Sequence, residues 1–382
     1  MKRILAGVLL AFVAGLAGIL AYAPYMPQMI LEGAPDLIWS GRSTFAEVGG
    51  APDADRLRIA VRPGSYGAEL LELFEDSDGV ALLAARDGRL EIEHYADGVT
   101  AETRLNSYSM VKSLVAALVF KAIADGRISG REARLGEFLP EAPGLSQVTL
   151  DRLLTMRAGI QFEIGRDSFG VAAGIKDTDT LPNPLGPLAR LHYQGLMPQL
   201  AGLSVSDGGP EVWTYQNINT ALLGAVLERI YGAPLETILA KEIWQPAGAT
   251  SAFWRRPAST EMVSAYCCLY ATARDWIRIG TFIAANGTPA DPFLPDADWR
   301  TLLGLDIDPT LRAKGHYGFG MFQDVLDRPG ETLNGGLTYF GGQSGQILSI
   351  MPERGLVIYR AGRRHQRLHS THYAVWNRLS AR

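Results

Sequence analysis

Residues 113–124, Ser113-Leu-Val-Ala-Ala-Leu-Val-Phe-Lys-Ala-Ile-Ala124, form an apolar, alanine-rich stretch with no proline or glycine before Gly126. Built from good helix formers, it predicts a helix. Ser107-Tyr-Ser-Met-Val-Lys112 runs straight into it, which puts Ser109 and Lys112 in the first turn. A spacing of three places both side chains on one face, a turn apart. The helix start also points backbone N–H groups and the positive end of the dipole at whatever lies beside Ser109. An apolar flank desolvates the Lys112 ammonium and favours its neutral, basic form. A hydroxyl beside such a lysine is an activated nucleophile. Alone, the tetrapeptide is more simply a serine near a helix start and a lysine lying along that helix. The pattern arises by chance about once in a chain of this size, so the rest of the chain has to decide.

Composition narrows the classes. The chain has 382 residues, 47% hydrophobic and 20% charged, which is ordinary globular composition for one large domain or two. A net charge of −4 leaves no basic excess, so nucleic acid is not an expected partner. The two cysteines, Cys267 and Cys268, are adjacent. Bridge geometry disfavours a bond between neighbours, so they are expected to act as small apolar packing groups. No Cys/His metal spacing occurs, and no metal or other cofactor is expected.

Residues 1–3 are a short basic lead, Met-Lys-Arg, before an apolar run over 4–24 that carries no charge. That run approaches the ~20 residues needed to span a bilayer, and Lys2 and Arg3 orient its start toward the cytoplasm. The expectation is an uncleaved anchor. A cleaved signal peptide, with Ala21-Tyr-Ala23 as its site, is the alternative. Either would place the remainder on the periplasmic or extracytoplasmic side. Residues 25–78, broken by proline and glycine, are expected to be a linker and docking segment, with a short helix at Ala68–Phe74.

From residue 79 to 382 the pattern is that of one domain. Val80–Tyr95 is a hairpin turning at Asp87-Gly88, with His94 on a strand face rather than acting as a ligand. Arg131–Gly159 reads as helical, with Thr149 capping its second part. Gln161–Pro210 loses periodicity and gains proline and glycine, as binding loops and lids do; Phe162, Asp167, Phe169 and Tyr193 are its substrate-side candidates. Thr220–Tyr231 and Leu235–Ile243 predict helices. Thr272-Ala-Arg-Asp275 has the form of a capping box, so Asp275 is structural. Residues 317–322, 345–350 and 356–360 predict antiparallel strands, with a final helix at His372–Leu379. Strands at both ends with helices between them imply an α+β fold, one antiparallel sheet with a helical insert over about 126–260.

Three features stand in a telling order: Ser109-x-x-Lys112, then Tyr215-x-Asn217, then Gly341-Gly-Gln-Ser-Gly-Gln346. With the preceding hairpin, Leu153-Leu-Thr-Met-Arg-Ala-Gly-Ile160 and Ala271–Asp275, this order resembles the penicillin-recognising serine hydrolases, in particular the class C-like β-lactamases. Within that family it is most similar to the esterase and aminohexanoate-dimer hydrolase branch. The resemblance covers roughly residues 78–382. It implies a β-lactamase/transpeptidase-like fold and an acyl-enzyme on Ser109, cleaving a small ester or amide. Lys112 and Tyr215 would share the proton, with the phenol's pKa lowered by the neighbouring ammonium. The Ser109 N–H and one N–H from the strand start at Gln343–Gln346 would form the oxyanion hole. Asn217 would orient the substrate amide or the lysine, and Gln343, Ser344, Gly345 and Gln346 would line the substrate site.

The third motif departs from the family. β-Lactamases and D,D-peptidases carry Lys-Thr-Gly there, related esterases often His-x-Gly, and this chain carries Gln343-Ser344-Gly345. The missing cation argues against substrates that present a carboxylate at that point. Weak β-lactamase or D,D-peptidase activity, or a membrane-tethered acyl-binding sensor without turnover, are the alternatives within the fold. A Ser-His-Asp α/β-hydrolase using His365, His369 or His372 is the alternative outside it, disfavoured because parallel βαβ alternation is missing.

Overall fold

The computed structural model describes residues 2–52, 58–59, 67–162, 184–206, 212–257, 262–312, 315–323, 337–364 and 370–380. The strands are, in chain order, β1 Thr44–Val48, β2 Arg58–Ile59, β3 Gly79–Arg86, β4 Arg89–Tyr95, β5 Arg104–Asn106, β6 Ala252–Arg256, β7 Leu269–Thr272, β8 Gly287–Thr288, β9 Asp291–Pro292, β10 His316–Gly318, β11 Met321–Gln323, β12 Thr338–Gly342, β13 Gln346–Met351 and β14 Leu356–Gly362. The larger sheet has eight strands in the order β10-β11-β12-β13-β14-β3-β4-β2. All its pairs are antiparallel except the short β2–β4 contact. The chain therefore closes N-terminal strands against C-terminal ones at β3–β14, as expected. That topology also excludes the doubly wound parallel sheet of an α/β-hydrolase.

Strand β3 (Gly-Val-Ala-Leu-Leu-Ala-Ala-Arg) is buried along nearly its whole length and alternates nothing, because both faces are covered. The helices numbered here are α1 Lys2–Tyr22, α2 Met26–Glu32, α3 Ala68–Asp76, α4 Val111–Ala124, α5 Leu150–Leu154, α6 Pro187–Gln194, α7 Asn217–Tyr231, α8 Leu235–Leu239, α9 Ala273–Ala284, α10 Asp296–Leu302, α11 Pro309–Arg312 and α12 Ser370–Ser380. One face of the sheet packs on α3 and α12 through Leu70, Phe74, Leu82, Ile358, Tyr373 and Val375. The other packs on α9 and, beyond it, α4 and the insert. Helix α9 starts at a true cap: Thr272 Oγ1 accepts the Asp275 N–H at 3.1 Å. Asp275 is fully buried, accepts hydrogen bonds from Thr250 and Thr272 and pairs with Arg278 at 2.8 Å, so it is structural, as expected. His94, likewise, lies on a strand with its ring edge-on to Phe74.

Several expectations are corrected. Residues 131–149 are turns and 3-10 segments, with a helix only at α5, because Gly136, Pro140, Pro143 and Gly144 interrupt the pattern. Thr149 does cap α5, its Oγ1 accepting from the Arg152 N–H. Residues 317–322 form a tight hairpin rather than one strand: Phe319 and Gly320 take positive φ of 55° and 72°. Cys267 and Cys268 are bonded to each other, against the expectation of two separate packing groups, and Cys268 adopts a positive φ of 69°. Within 25–78, read as linker and docking segment, β1 pairs with β6 in a second sheet, ordered β1-β6-β7-β5, which the expectation of one sheet did not include. The anchor expected over 4–24 is a separate matter: among the described residues no single helix is long and apolar enough to cross a membrane, while α1 and α2 together, bent by 86°, have the length and composition for it.

Gly280 of α9 lets the helix lie directly on the sheet, for a Cβ there would stand 2.5 Å from Val357 Cγ1. Gly280→Ala should therefore cost about 1–3 kcal/mol through overpacking, against the usual gain for alanine in a helix. A urea midpoint at or above wild type would refute that packing.

Candidate active site

Strand β5 delivers the chain to Ser107, whose N–H bonds the Leu269 carbonyl while its Oγ accepts from the Leu269 N–H at 3.1 Å. A 3-10 turn, Tyr108–Met110, then leads into α4. Tyr108 has a positive φ of 42° and its N–H is held by Asn106 Oδ1 at 2.8 Å. Ser109 thus sits on a constrained strand-to-helix turn, one residue pair ahead of the helix proper. Helix α4 is buried on nearly all sides, which is why its sequence shows no polar face. Lys112 is 1% exposed.

Lys112 Nζ lies 2.8 Å from Ser109 Oγ and 2.9 Å from the Tyr266 carbonyl oxygen. Burial pushes its pKa well below the ordinary lysine value. Its second anchor is this backbone carbonyl, so of the two roles expected for Asn217, orienting the substrate amide or the lysine, the lysine already has another partner. A main-chain oxygen 154 residues away leaves no signal in a sequence.

Tyr215, on the approach to α7, places its ring face 5.0 Å from Lys112 Nζ. Burial raises the phenol to about 12, an effect only partly offset by the neighbouring Ser109 hydroxyl. The expectation of a lowered phenol pKa is corrected here. It rested on a neighbouring ammonium, and the same burial that raises the phenol pushes the lysine pKa down, away from the charged form. Asn217 is the first residue of α7 and half-buried. Trp213, Tyr215 and Tyr317 form an aromatic wall, with Tyr317 5.8 Å from each of the other rings. Tyr317 escaped notice because its segment reads simply as strand.

The third motif comes to the same place. Gly342 abuts the nucleophile turn so closely that a Cβ would stand 2.4 Å from the Ser107 carbonyl oxygen. Gln343–Gly345 is a 3-10 turn in which Ser344 and Gly345 both take positive φ, 59° and 75°. Gln343 is exposed. Gln346 is a correction. Its side chain is fully buried and clamps β14, with Nε2 donating to Gly362 O at 2.6 Å and Oε1 accepting from Gly362 N. Its own N–H bonds the Gln343 carbonyl. It builds the turn and does not face Ser109.

Of the other candidates, Phe162 and Tyr193 are core residues, 5% and 6% exposed. Tyr193 stacks on Tyr25 and its hydroxyl bonds Gly33 O. Asp167 and Phe169 lie outside the described residues, as do His365, His369 and half of the 161–210 stretch. His372 is buried in α12, on the sheet face opposite α9.

A family model described as Beta-lactamase matches residues 69–380. The chain belongs to the beta-lactamase family. Members of this family are serine hydrolases acting on ester or amide bonds. A Bacillus anthracis protein described as a 6-aminohexanoate-dimer hydrolase superposes with a TM-score of 0.71 at 19% identity, covering 88% of this chain and 90% of that one. EstCE1, described as a hydrolase with promiscuous acyltransferase activity, gives 0.60 at 16% identity, over 80% and 98%. These likenesses concern the fold. In sequence, 145 residues are 26% identical to a Bacillus subtilis (strain 168) protein described as a penicillin-binding protein, PbpX. That match takes in 38% of this chain and 31% of the relative, about a third of its length.

A lysine whose pKa is depressed by folding weakens the fold at low pH. The unfolded chain binds the extra proton between the folded value and about 10.5, so stability rises with pH across that window. Lys112→Met removes this dependence. Its urea midpoint should exceed wild type at pH 7 and the gap should close as pH approaches 10; a pH-independent gap would contradict the depressed value.

Proposed function

We propose that this beta-lactamase family member is a serine hydrolase that forms an acyl-enzyme on Ser109. The observation that carries the reading is Lys112 Nζ, buried, 2.8 Å from Ser109 Oγ and tethered by the Tyr266 carbonyl. A neutral amine there can donate one N–H to that carbonyl and accept the serine proton on its lone pair as Oγ attacks a carbonyl carbon. The resulting ammonium then stands against the Tyr215 face, where cation–π attraction stabilises it. Tyr215, protonated because its pKa is about 12, is suited to donate to the leaving group rather than to begin as base, and it recovers its proton from the Lys112 ammonium, which returns both groups to their starting state. The Ser109 N–H and an N–H of the 344–345 turn are the oxyanion donors of this reading. Water then releases the acyl group.

The substrates proposed are uncharged esters or amides. Gln343 offers no positive charge to a carboxylate, and the aromatic wall favours apolar substituents. The apolar N-terminal segment, with Ile4, Leu5, Val8, Leu9 and Leu10 exposed on α1, is proposed to hold the protein at a membrane. Removing residues 2–22 should move it from the membrane fraction to the soluble fraction; unchanged partitioning would exclude that role.

The test of the function is intact mass after a fluorophosphonate probe, beside a panel of p-nitrophenyl esters. Wild type should gain one adduct and turn over an ester, and Ser109→Ala should do neither. An adduct without turnover of any ester or amide would favour the non-hydrolytic acyl-binding reading. Lys112→Ala should lower kcat/KM by roughly 10²–10⁴. For wild type, kcat/KM should rise with pH through an apparent pKa well below 10.5, as Lys112 loses its proton. A profile still rising through pH 10 would exclude a neutral Lys112 as the base.

A further inference from the structure

Glu32, the last residue of α2, is only 8% exposed although it lies far from the catalytic segment in sequence. Its carboxylate accepts from Gln28 Nε2 at 2.6 Å, from Ser43 Oγ at 3.1 Å and from the Arg255 guanidinium at 2.8 Å. Arg255, on β6, is 1% exposed. Its other terminal nitrogen donates to the His192 carbonyl at 2.7 Å, and its guanidinium lies 5.2 Å from the Tyr193 ring centroid.

The backbone of Arg255 does something different. Its N–H donates to the Cys268 carbonyl and its carbonyl accepts from the Ser264 N–H, at 3.0 and 2.8 Å. These bonds pin both ends of the 264–268 turn. Tyr266, at the tip of that turn, supplies the carbonyl that holds Lys112 Nζ. Its hydroxyl lies 3.3 Å from His192 Nδ1, so the residue whose carbonyl Arg255 holds also braces the turn. A continuous line of bonds thus runs from α2 to the lysine beside Ser109.

We propose that Glu32 is a positioning residue for the Ser109–Lys112 pair, acting through Arg255 and the 264–268 turn, so that α2 is a working part of the site. The inference rests on the assignment of Ser109 and Lys112 made above. Without Glu32 the buried guanidinium has lost its carboxylate and must shift or draw in water. A movement of β6 passes to the Tyr266 carbonyl. A displacement of about 1 Å at a reacting group can cost up to roughly a hundredfold in rate.

The test uses the full chain and the rate of fluorophosphonate labelling at Ser109, with a thermal midpoint for each variant. Glu32→Gln should lower the limiting labelling rate by roughly tenfold to a hundredfold, well below its own melting temperature, without raising the half-saturating probe concentration. Glu32→Asp, which restores the charge, should recover most of the rate. The matched control is Glu236→Gln. Glu236 is also 8% exposed and pairs at 2.7 Å with Arg256, the next residue on β6, whose side chain points to the opposite face. It should lose stability and label at the wild-type rate. Should Glu32→Gln fail to fold, Arg255→Lys keeps the charge but cannot reach Glu32 and the His192 carbonyl together, and should slow labelling likewise. Wild-type labelling in Glu32→Gln, equal slowing in Glu236→Gln, or no recovery in Glu32→Asp would overturn the inference alone. No labelling of wild type at Ser109 would overturn both it and the catalytic assignment.

Discussion

An amine buried in an apolar helix packing is the constraint on which the rest of this structure turns. Ionised and unpaired, Lys112 would be too costly to keep at 1% exposure. Burial pushes its pKa well below the ordinary lysine value, and the protein gives the nitrogen two oxygen partners. The surrounding architecture serves this arrangement. Helix α4 is enclosed by α7, α8, α10 and strand β12, which cover its flanks. Tyr108 and Cys268, both at positive φ, face each other across a Cys268 N–H to Tyr108 carbonyl bond of 3.4 Å. The two segments that meet at Lys112 thus each carry an unfavourable backbone conformation, which only a well-determined surrounding structure maintains.

The site stands where separate parts of the fold converge. Strand β5 of the smaller sheet supplies the turn bearing Ser109. The loop before α7 supplies Tyr215, and the larger sheet supplies the 343–345 turn through the close approach of Gly342. Each comes from a different layer, so their relative placement depends on how the layers pack. The N-terminal segment joins this convergence through β1 and Glu32. Its contribution is to fix β6, the strand from which the Lys112 anchor hangs.

What was legible in the sequence was local. The placing of Ser109 and Lys112 one turn apart at a helix start, the Asp87-Gly88 hairpin and the Thr272 cap are each decided within a few residues by a single element's chemistry. What was not legible depends on tertiary packing. The smaller sheet is made of short strands, of which β1 and β6 stand more than two hundred residues apart and carry no turn between them to signal pairing. Gln346 looked like a site residue because it borders a motif, yet the pleat directs its side chain into the sheet. The Tyr215 phenol was misjudged because its pKa depends on how deeply both it and Lys112 are buried, which no spacing reveals.

Under the proposed reading, the third motif is a place where one scaffold changes its substrates without touching the Ser109–Lys112 pair. The backbone needed near Ser109 is fixed by Gly342, by the positive φ of Ser344 and Gly345, and by the Gln346 clamp on Gly362. None of these depends on which side chain stands at 343, and Gln343 is exposed. A cation there would act on a substrate carboxylate as a charge-assisted hydrogen-bond donor, the strong kind. A glutamine offers a neutral donor and acceptor, worth about half as much. Under the proposed reading, selection then passes from charge to shape, carried by Trp213, Tyr215 and Tyr317. An aromatic wall discriminates only modestly between apolar groups of similar size. An enzyme so built should accept a range of uncharged acyl compounds and pass over those whose recognition depends on a carboxylate.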